Sequence, residues 1–298
     1  MKYHEPVLLR EAVDGLNIKE EGMYVDVTFG GGGHAGEILK RLGPQGRLYA
    51  FDQDEDALKN TIEDERFTLI RENFRFITSY LKFYGIKKVD GILGDFGVSS
   101  HQFNVAERGF SNRFEGKLDM RMYKSGSLSA FQVVNEYEEA PLRDLLYRYG
   151  ELRNAAAIAR AIAAARDKNP IVTTGQLNET VEPVLPGFKT RKFLAQIYQA
   201  LRIEVNREIE ALKEFLMQTP GIVKEGGRLS LISYHSLEDR LVKRFIRDGR
   251  FEGEAEKDFY GNRRVPFKKV GTFMTPSGEE IEKNNRARSA RLRIAEKL

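Results

Sequence analysis

The chain has 298 residues, 41% of them hydrophobic and 31% charged, with a formal net charge of +4. That is enough length and apolar content for one large globular domain or two ordinary ones. Cysteine is absent, which excludes disulfides, thiolate zinc sites and iron–sulfur clusters.

Residues 1–16 carry Glu5, Arg10, Glu11 and Asp14 among their apolar positions. No uninterrupted leader core forms there, and no later segment has membrane-spanning length, so a cytoplasmic protein without membrane contact is expected. Strands are predicted at 25–28, 48–52, 67–71 and 89–96, with helices at 35–42 and 57–62 between them. This alternation predicts a parallel sheet whose ligands gather at the carboxyl ends of its strands.

The first strand opens into Phe29-Gly30-Gly31-Gly32-Gly33-His34-Ala35-Gly36, and the second ends at Asp52. Consecutive glycines let backbone approach a ligand, a helix then begins with free N–H groups, and the later carboxylate can accept a ribose diol. Gly31, Gly33 and Gly36 satisfy G-x-G-x-x-G literally, a weak signal alone, and a flexible glycine turn is the plainer reading. For Asp52, helix capping together with Asp54 is the structural alternative.

The β pattern stops after Phe103. Residues 104–123 read as a long loop, followed by helices at 129–136, 139–149, 151–168 and a short one from Thr174. A helix over about 191–217 leads back to a strand at 228–234. The segment 251–269 is polar and basic with poor periodicity, which predicts a mobile loop, and 289–295 alternates like an antiparallel closing strand. The expected division is 1–104, an all-helical insertion at 105–199, and 200–298. From Arg240 onward, sixteen Lys and Arg face nine Asp and Glu. The series Arg286, Arg288, Arg291 and Arg293 suggests phosphate contacts, with Arg288 and Arg291 the candidates for RNA binding, against a solvated basic face as the plainer reading.

An acid on the first strand, four residues before the glycines, resembles motif I of S-adenosylmethionine (SAM) methyltransferases. The narrower pattern Asp26-x-Thr28-x-Gly30-x-Gly32-Gly33-His34 resembles the ribosomal RNA small-subunit methyltransferase H, or MraW, family. The resemblance extends through His4-Glu5-Pro6-Val7-Leu8-Leu9, Asp90-Gly91-Ile92-Leu93-Gly94-Asp95-Phe96-Gly97-Val98-Ser99-Ser100, Glu107-Arg108-Gly109-Phe110-Ser111 and Leu118-Asp119-Met120-Arg121-Met122. It continues in Ala200-Leu201-Arg202-Ile203-Glu204-Val205-Asn206, Ser233-Tyr234-His235-Ser236-Leu237-Glu238-Asp239-Arg240 and the block from Arg286 to Arg293.

This resemblance implies an α/β fold, a Rossmann-like SAM-dependent methyltransferase sheet with an inserted all-helical domain. It implies SAM as cofactor and transfer of methyl to N4 of a cytidine in the decoding region of 16S rRNA. The expected partner is that RNA, within the small ribosomal subunit or an assembly intermediate; a homodimer is left open. Another amine in DNA or protein is the alternative substrate, and an NAD(P)-dependent oxidoreductase the alternative enzyme. Independently, the missing cysteine disfavours C5 methylation of a pyrimidine, which generally needs a thiolate addition, and favours an N- or O-acceptor.

By the same resemblance, Gly32, Gly33 and His34 meet the methionine and ribose end, Asp52 takes the ribose hydroxyls, Phe74 packs near adenine, and Asp95 and Gln102 complete the pocket. Asp95 and His235 are the catalytic candidates. Asp95 is assigned to cofactor orientation and amine polarisation, although Asp95-Phe96-Gly97-Val98 lacks the prolines and terminal aromatic that amine methyltransferases outside this family often carry there. The family typically has Leu at 96 and Asp at 123, where this chain has Phe96 and Tyr123. His235 is read as contacting the cytidine or its phosphate; the structural alternative is Ser236 capping a helix with Asp239 three residues on. His4 and His101 are expected in loops. No clustered His/Asp/Glu triplet is apparent, so no catalytic metal is expected.

Overall fold

The computed structural model describes residues 6–261 and 263–298; His4 and Glu5 of the amino-terminal block lie outside them. Seven strands form one sheet: β1 (Met23–Asp26), β2 (Arg47–Phe51), β3 (Phe67–Ile70), β4 (Val89–Asp95), β5 (Val223–Ser233), β6 (Phe267–Met274) and β7 (Arg291–Lys297). Their order is β3-β2-β1-β4-β5-β7-β6. The first five strands run parallel, and β7 lies antiparallel between β5 and β6. Because β1 has β2 on one side and β4 on the other, the strand order reverses there, opening the crevice where doubly wound sheets bind ligands.

The sheet's two faces follow from residues alternating along each strand. Val25, Phe51, Ile92 and Leu231 belong to one apolar layer with Phe215 and Phe245. Tyr24, Ala50, Leu93 and Ile232 belong to the other with Ile38 and Leu292. Every residue of β4 from Val89 to Gly94 is buried, as expected for a central strand covered on both faces. Asp90, near the strand's amino end, accepts the Met23 amide at 3.0 Å and the Lys224 ammonium at 2.6 Å. It pins β1 to the start of β5, at the end of the sheet opposite the crevice.

The helices in chain order are α1 (Leu9–Gly15), α2 (Gly33–Arg41), α3 (Ile77–Phe83), α4 (Ser100–Asn104), α5 (Ala130–Glu136), α6 (Glu139–Gly150), α7 (Ala155–Arg166), α8 (Thr174–Val181), α9 (Thr190–Asn206), α10 (Glu208–Ile222), α11 (Ser236–Asp248) and α12 (Gly278–Lys283). The chain divides into two compact units: residues up to Gly97 together with Ile209–Leu298, and Val98–Glu208. The second has its own apolar centre, including Met120, Val133, Leu146, Ile158, Leu177 and Leu201. It is wider at both ends than the 105–199 read from sequence. At its start Val98 packs on this centre and Ser99 caps α4; at its end α9 runs on to Asn206, beyond the last residue of the expected insertion.

Other elements also differ from the sequence reading. The expected helix at 57–62 is a 3-10 turn, Glu55–Asn60, capped by the Asp54 side chain. The single helix expected over 191–217 is broken at Arg207, whose φ of 49° is left-handed. Neither glycine nor proline marks that break. The Asn206 side chain holds it instead, donating to the Met120 carbonyl at 2.8 Å and accepting the Met122 amide at 2.7 Å. β6 emerges where the expected loop ends: it is an edge strand exposed along most of its length, with Lys268, Lys269 and Thr272 in place of the alternation that marks a half-buried strand. His101 lies in α4 rather than a loop. Among the described residues, no helix is long and apolar enough to cross a membrane.

Candidate active site

The glycine turn joins β1 to α2. Gly30 and Gly32 have φ of 52° and 77°, values costly for a residue with a Cβ. At Gly33 the constraint is space: a Cβ there would lie 2.1 Å from the Pro6 ring. Gly36, the last glycine of the literal fingerprint, has nothing within 4 Å of a would-be Cβ. The turn therefore depends on Gly30, Gly32 and Gly33, only one of which the G-x-G-x-x-G match selects.

Asp52, just past β2, shapes this turn from the neighbouring strand. Its Oδ2 accepts the Gly30 amide at 2.8 Å and its Oδ1 the Asp54 amide at 2.8 Å. Capping of the following 3-10 turn falls to Asp54, so Asp52 is not the helix cap of the structural alternative.

Asp26 ends β1 fully buried. Its Oδ1 accepts the Thr28 amide at 3.0 Å, while its Oδ2 has no hydrogen-bond partner among the described residues. Burial, reinforced by the nearby Asp52 charge, pushes its carboxyl up to about 7. Asp95 ends β4. Its amide donates to Thr28 Oγ1 at 2.6 Å, and its Oδ1 accepts the Tyr234 hydroxyl at 2.8 Å. Burial and the charges of Asp26 and Glu238 outweigh that hydrogen bond and push Asp95 up to about 7.

His34, in the first turn of α2, is buried and held at about 4 by desolvation, despite its bond to the Val7 carbonyl. It is neutral at pH 7. A carbonyl only accepts, so Nε2, 3.2 Å from Val7 O, carries the proton. Nδ1 is then a bare lone pair 3.9 Å from Asp95 Oδ2, and the two residues form no ion pair.

Phe74 sits in a half-buried 3-10 turn after β3, its ring centroid 5.7 Å from that of Phe96 and 5.5 Å from that of Phe215. The aromatic at position 96 thus completes a ring cluster against the expected adenine contact. Gln102 belongs to the helical unit, where it is buried and closes the α4 capping box: its Oε1 accepts the Ser99 amide at 3.0 Å.

His235, rather than Ser236, is the N-cap of α11, its Nδ1 accepting the Glu238 amide at 3.4 Å and its Nε2 lying 3.1 Å from Glu238 Oε1. Asp239 is also not part of a capping box: it binds Arg293 at 2.7 Å and Arg291 at 3.0 Å. Burial opposes ionisation of Asp239, but these two guanidinium groups hold its carboxyl below the ordinary range. Arg288 is exposed. Of the two arginines expected to bind RNA, Arg291 is therefore partly engaged inside the fold and Arg288 faces solvent. Sequence reasoning missed Tyr234 as a partner of Asp95; its position inside a matched block was the available signal.

Three carboxylates, Asp26, Asp52 and Asp95, stand at the tips of β1, β2 and β4 around the glycine turn. Such a crevice repels the pyrophosphate of a dinucleotide and suits a ligand that is cationic and rich in hydroxyl donors. The unpartnered Asp26 oxygen fits SAM, which carries an ammonium, a sulfonium and a ribose diol. A doubly wound sheet with this charge at its switch point belongs to the class of SAM-dependent methyltransferases. The chain is a member of the MraW methylase family, whose model matches residues 1–298.

Ribosomal RNA small subunit methyltransferase H of Christiangramia forsetii is 68% identical over 298 residues, covering 100% of this chain and 99% of the relative. The protein of the same name from Flavobacterium johnsoniae is 64% identical over 298 residues, covering 100% and 99%. Among solved structures, an rRNA methylase from Streptococcus thermophilus aligns with 100% of this chain and 99% of its own at 13% identity and a TM-score of 0.45.

Proposed function

We propose that this protein methylates the N4 amine of a cytidine in the decoding region of 16S rRNA, in the cytoplasm and on the small ribosomal subunit or an assembly intermediate. The observation that carries this reading is the identity of 68% and 64%, end to end, with proteins named as small-subunit ribosomal RNA methyltransferases. The absence of cysteine agrees with an exocyclic amine as acceptor. The surface supports RNA: Phe259 and Tyr260 are 97% and 86% exposed in a segment that also carries Lys257, Arg263 and Arg264, the combination of stacking rings and cations that unpaired RNA binds.

When bound, SAM supplies the methyl group on a sulfonium whose sulfur is the leaving group. Asp52 accepts the ribose hydroxyls, and the turn at Gly32 and Gly33 lets backbone approach the ligand. Asp26 offers its open oxygen to a cationic group, and His34 supports the turn as a neutral ring tied to Val7. Phe74 packs near the adenine, and Gln102 is carried as a further cofactor contact on the family resemblance. Asp95 accepts an N–H of the nucleophilic amine and so aligns its lone pair; alignment of this kind contributes roughly 7 to 11 kcal/mol where geometry is well fixed. His235 and the exposed arginines contact the RNA.

Nucleoside mass spectrometry of 16S rRNA from cells with and without the gene tests the reading. Loss of N4-methylcytidine from the decoding region on deletion, restored by the purified protein and SAM, is the expected result. Persistence of that nucleoside in the deletion strain refutes it.

A further inference from the structure

We propose that Tyr234 is a positioning residue for methyl transfer, its hydroxyl fixing Asp95 through Oδ1 so that Oδ2 is presented to the amine. The inference rests on the proposed amine acceptor and adds to it a residue that acts through Asp95.

Asp95 is fixed at two points. Its backbone amide donates to Thr28 Oγ1 at 2.6 Å, and its Oδ1 accepts the Tyr234 hydroxyl at 2.8 Å. Tyr234 is itself anchored where β5 passes into α11, its amide donating to Glu238 Oε2 at 3.0 Å. Its ring lies over Gly97, where a would-be Cβ stands 3.4 Å from the ring and φ is 112°, so the turn after Asp95 is shaped to pass beneath it. Among the described residues, the other groups facing Asp95 provide no competing donor. His34 from α2 turns an unprotonated Nδ1 toward Oδ2 at 3.9 Å, while Asp26 from β1 and Glu238 from α11 contribute only repulsion. Oδ2 thus remains as an acceptor, and 21% of the Asp95 side chain reaches solvent. Burial beside Asp95 and Glu238 raises the Tyr234 hydroxyl well above its ordinary range, so it remains a donor.

The chemistry requires this orientation. The lone pair of an amine attached to a pyrimidine is delocalised into the ring, and an acceptor on one N–H draws it back onto nitrogen. In the transfer step the nitrogen forms a bond to the methyl carbon as the carbon–sulfur bond breaks, with its electron pair passing to sulfur. The nitrogen, now positively charged, gives one proton to Asp95 Oδ2, which passes it to solvent. The hydroxyl of Tyr234 favours the ionised carboxylate that must receive that proton.

The test compares Tyr234→Phe, Asp95→Asn and the double variant in the full-length protein, with kcat measured across pH at saturating SAM and RNA and SAM affinity measured by calorimetry. Phe keeps the ring over Gly97, and circular dichroism verifies the fold. Tyr234→Phe is expected to lower kcat about 10- to 100-fold near neutral pH, the equivalent of one hydrogen bond to a charged group. Its acid limb should move to higher pH, because the carboxylate has lost the donor that favours ionisation. The double variant should be no worse than Asp95→Asn. An unshifted pH profile, additive losses in the double variant, or a loss confined to SAM affinity overturns the proposal. The acceptor is identified separately from the wild-type product: a methylated amine other than cytidine N4 refutes the proposed function, and the Tyr234–Asp95 coupling is then measured on that amine.

Discussion

Asp52 closes the glycine turn from across the sheet, its Oδ2 accepting the Gly30 amide at 2.8 Å. The same carboxylate is proposed to take the ribose hydroxyls, so Asp52→Ala should weaken SAM binding by about 1 to 3 kcal/mol, the range for losing hydrogen bonds to a charged acceptor. Calorimetry on the folded variant measures this directly. Equal affinity in variant and wild type removes Asp52 from the site.

Asp26 makes the protein without cofactor less stable as pH rises. Its carboxyl ordinarily titrates at 3.8 and lies at about 7 in the fold, so the folded state holds the proton through that interval while the unfolded chain releases it. The stabilisation is complete below 3.8 and is lost as pH rises through 7. Asp26→Asn should flatten this part of the pH–stability curve, leaving the contribution of Asp95, which titrates in the same range. Because SAM is cationic, its binding should also release protons near neutral pH, seen as a calorimetric enthalpy that depends on the ionisation enthalpy of the buffer.

The Asp239 clasp predicts stability in the opposite sense. Arg293 and Asp239 keep only 15% and 9% of their side chains exposed, and breaking a buried pair by removing one partner costs about 3 to 5 kcal/mol. Arg293→Ala leaves Arg291 on Asp239 at 3.0 Å, so it should cost less than that, about 1 to 3 kcal/mol in urea unfolding at neutral pH. With its folded value depressed, Asp239 contributes fully above the ordinary carboxylate range and loses that contribution on acidification. A variant as stable as wild type argues against the clasp.

RNA binding should separate into two signatures. Arg288→Gln is expected to lower affinity and reduce the salt slope by about 0.7 for a lost contact to single-stranded phosphate. Phe259→Ala with Tyr260→Ala should lower affinity by about 1 to 3 kcal/mol per base unstacked, with the slope unchanged. Fluorescence anisotropy at several salt concentrations distinguishes them, and no effect of either change places the RNA on another face.

What could be read from sequence was local. Val25, the glycines from Gly30 to Gly33 and Asp52 lie in one short stretch, and their types dictate a strand, a turn and an acid at the crevice. The hydrophobic runs of β1 to β4 likewise declare strands of a parallel sheet. Relationships made by the fold were hidden: Tyr234 and Asp95 meet across 139 residues, and no spacing rule reports that. Arg291 looked like a free phosphate ligand because its partner, Asp239, lies 52 residues earlier on another element. β6 escaped because an exposed edge strand rich in lysine has no apolar face to repeat. The break at Arg207 escaped because a side chain, Asn206, does the work of a turn sequence.

The bond from the Leu8 amide to Glu280 Oε1, 2.8 Å long and spanning 272 residues, bears on the order in which the protein is made. The sheet unit is split by the helical one, so its first four strands leave the ribosome well before β5, and β5 acquires its antiparallel partner β7 only after α11, β6 and α12 have been made. The helical unit is continuous and complete earlier, and domains fold as units in order of synthesis. A chain that stops short of β7 leaves the β5 edge unpaired, a template for joining other chains. Nascent-chain arrest should therefore find the helical unit protected from protease first, and carboxyl-terminal truncation by even one strand should yield aggregates rather than a smaller working enzyme.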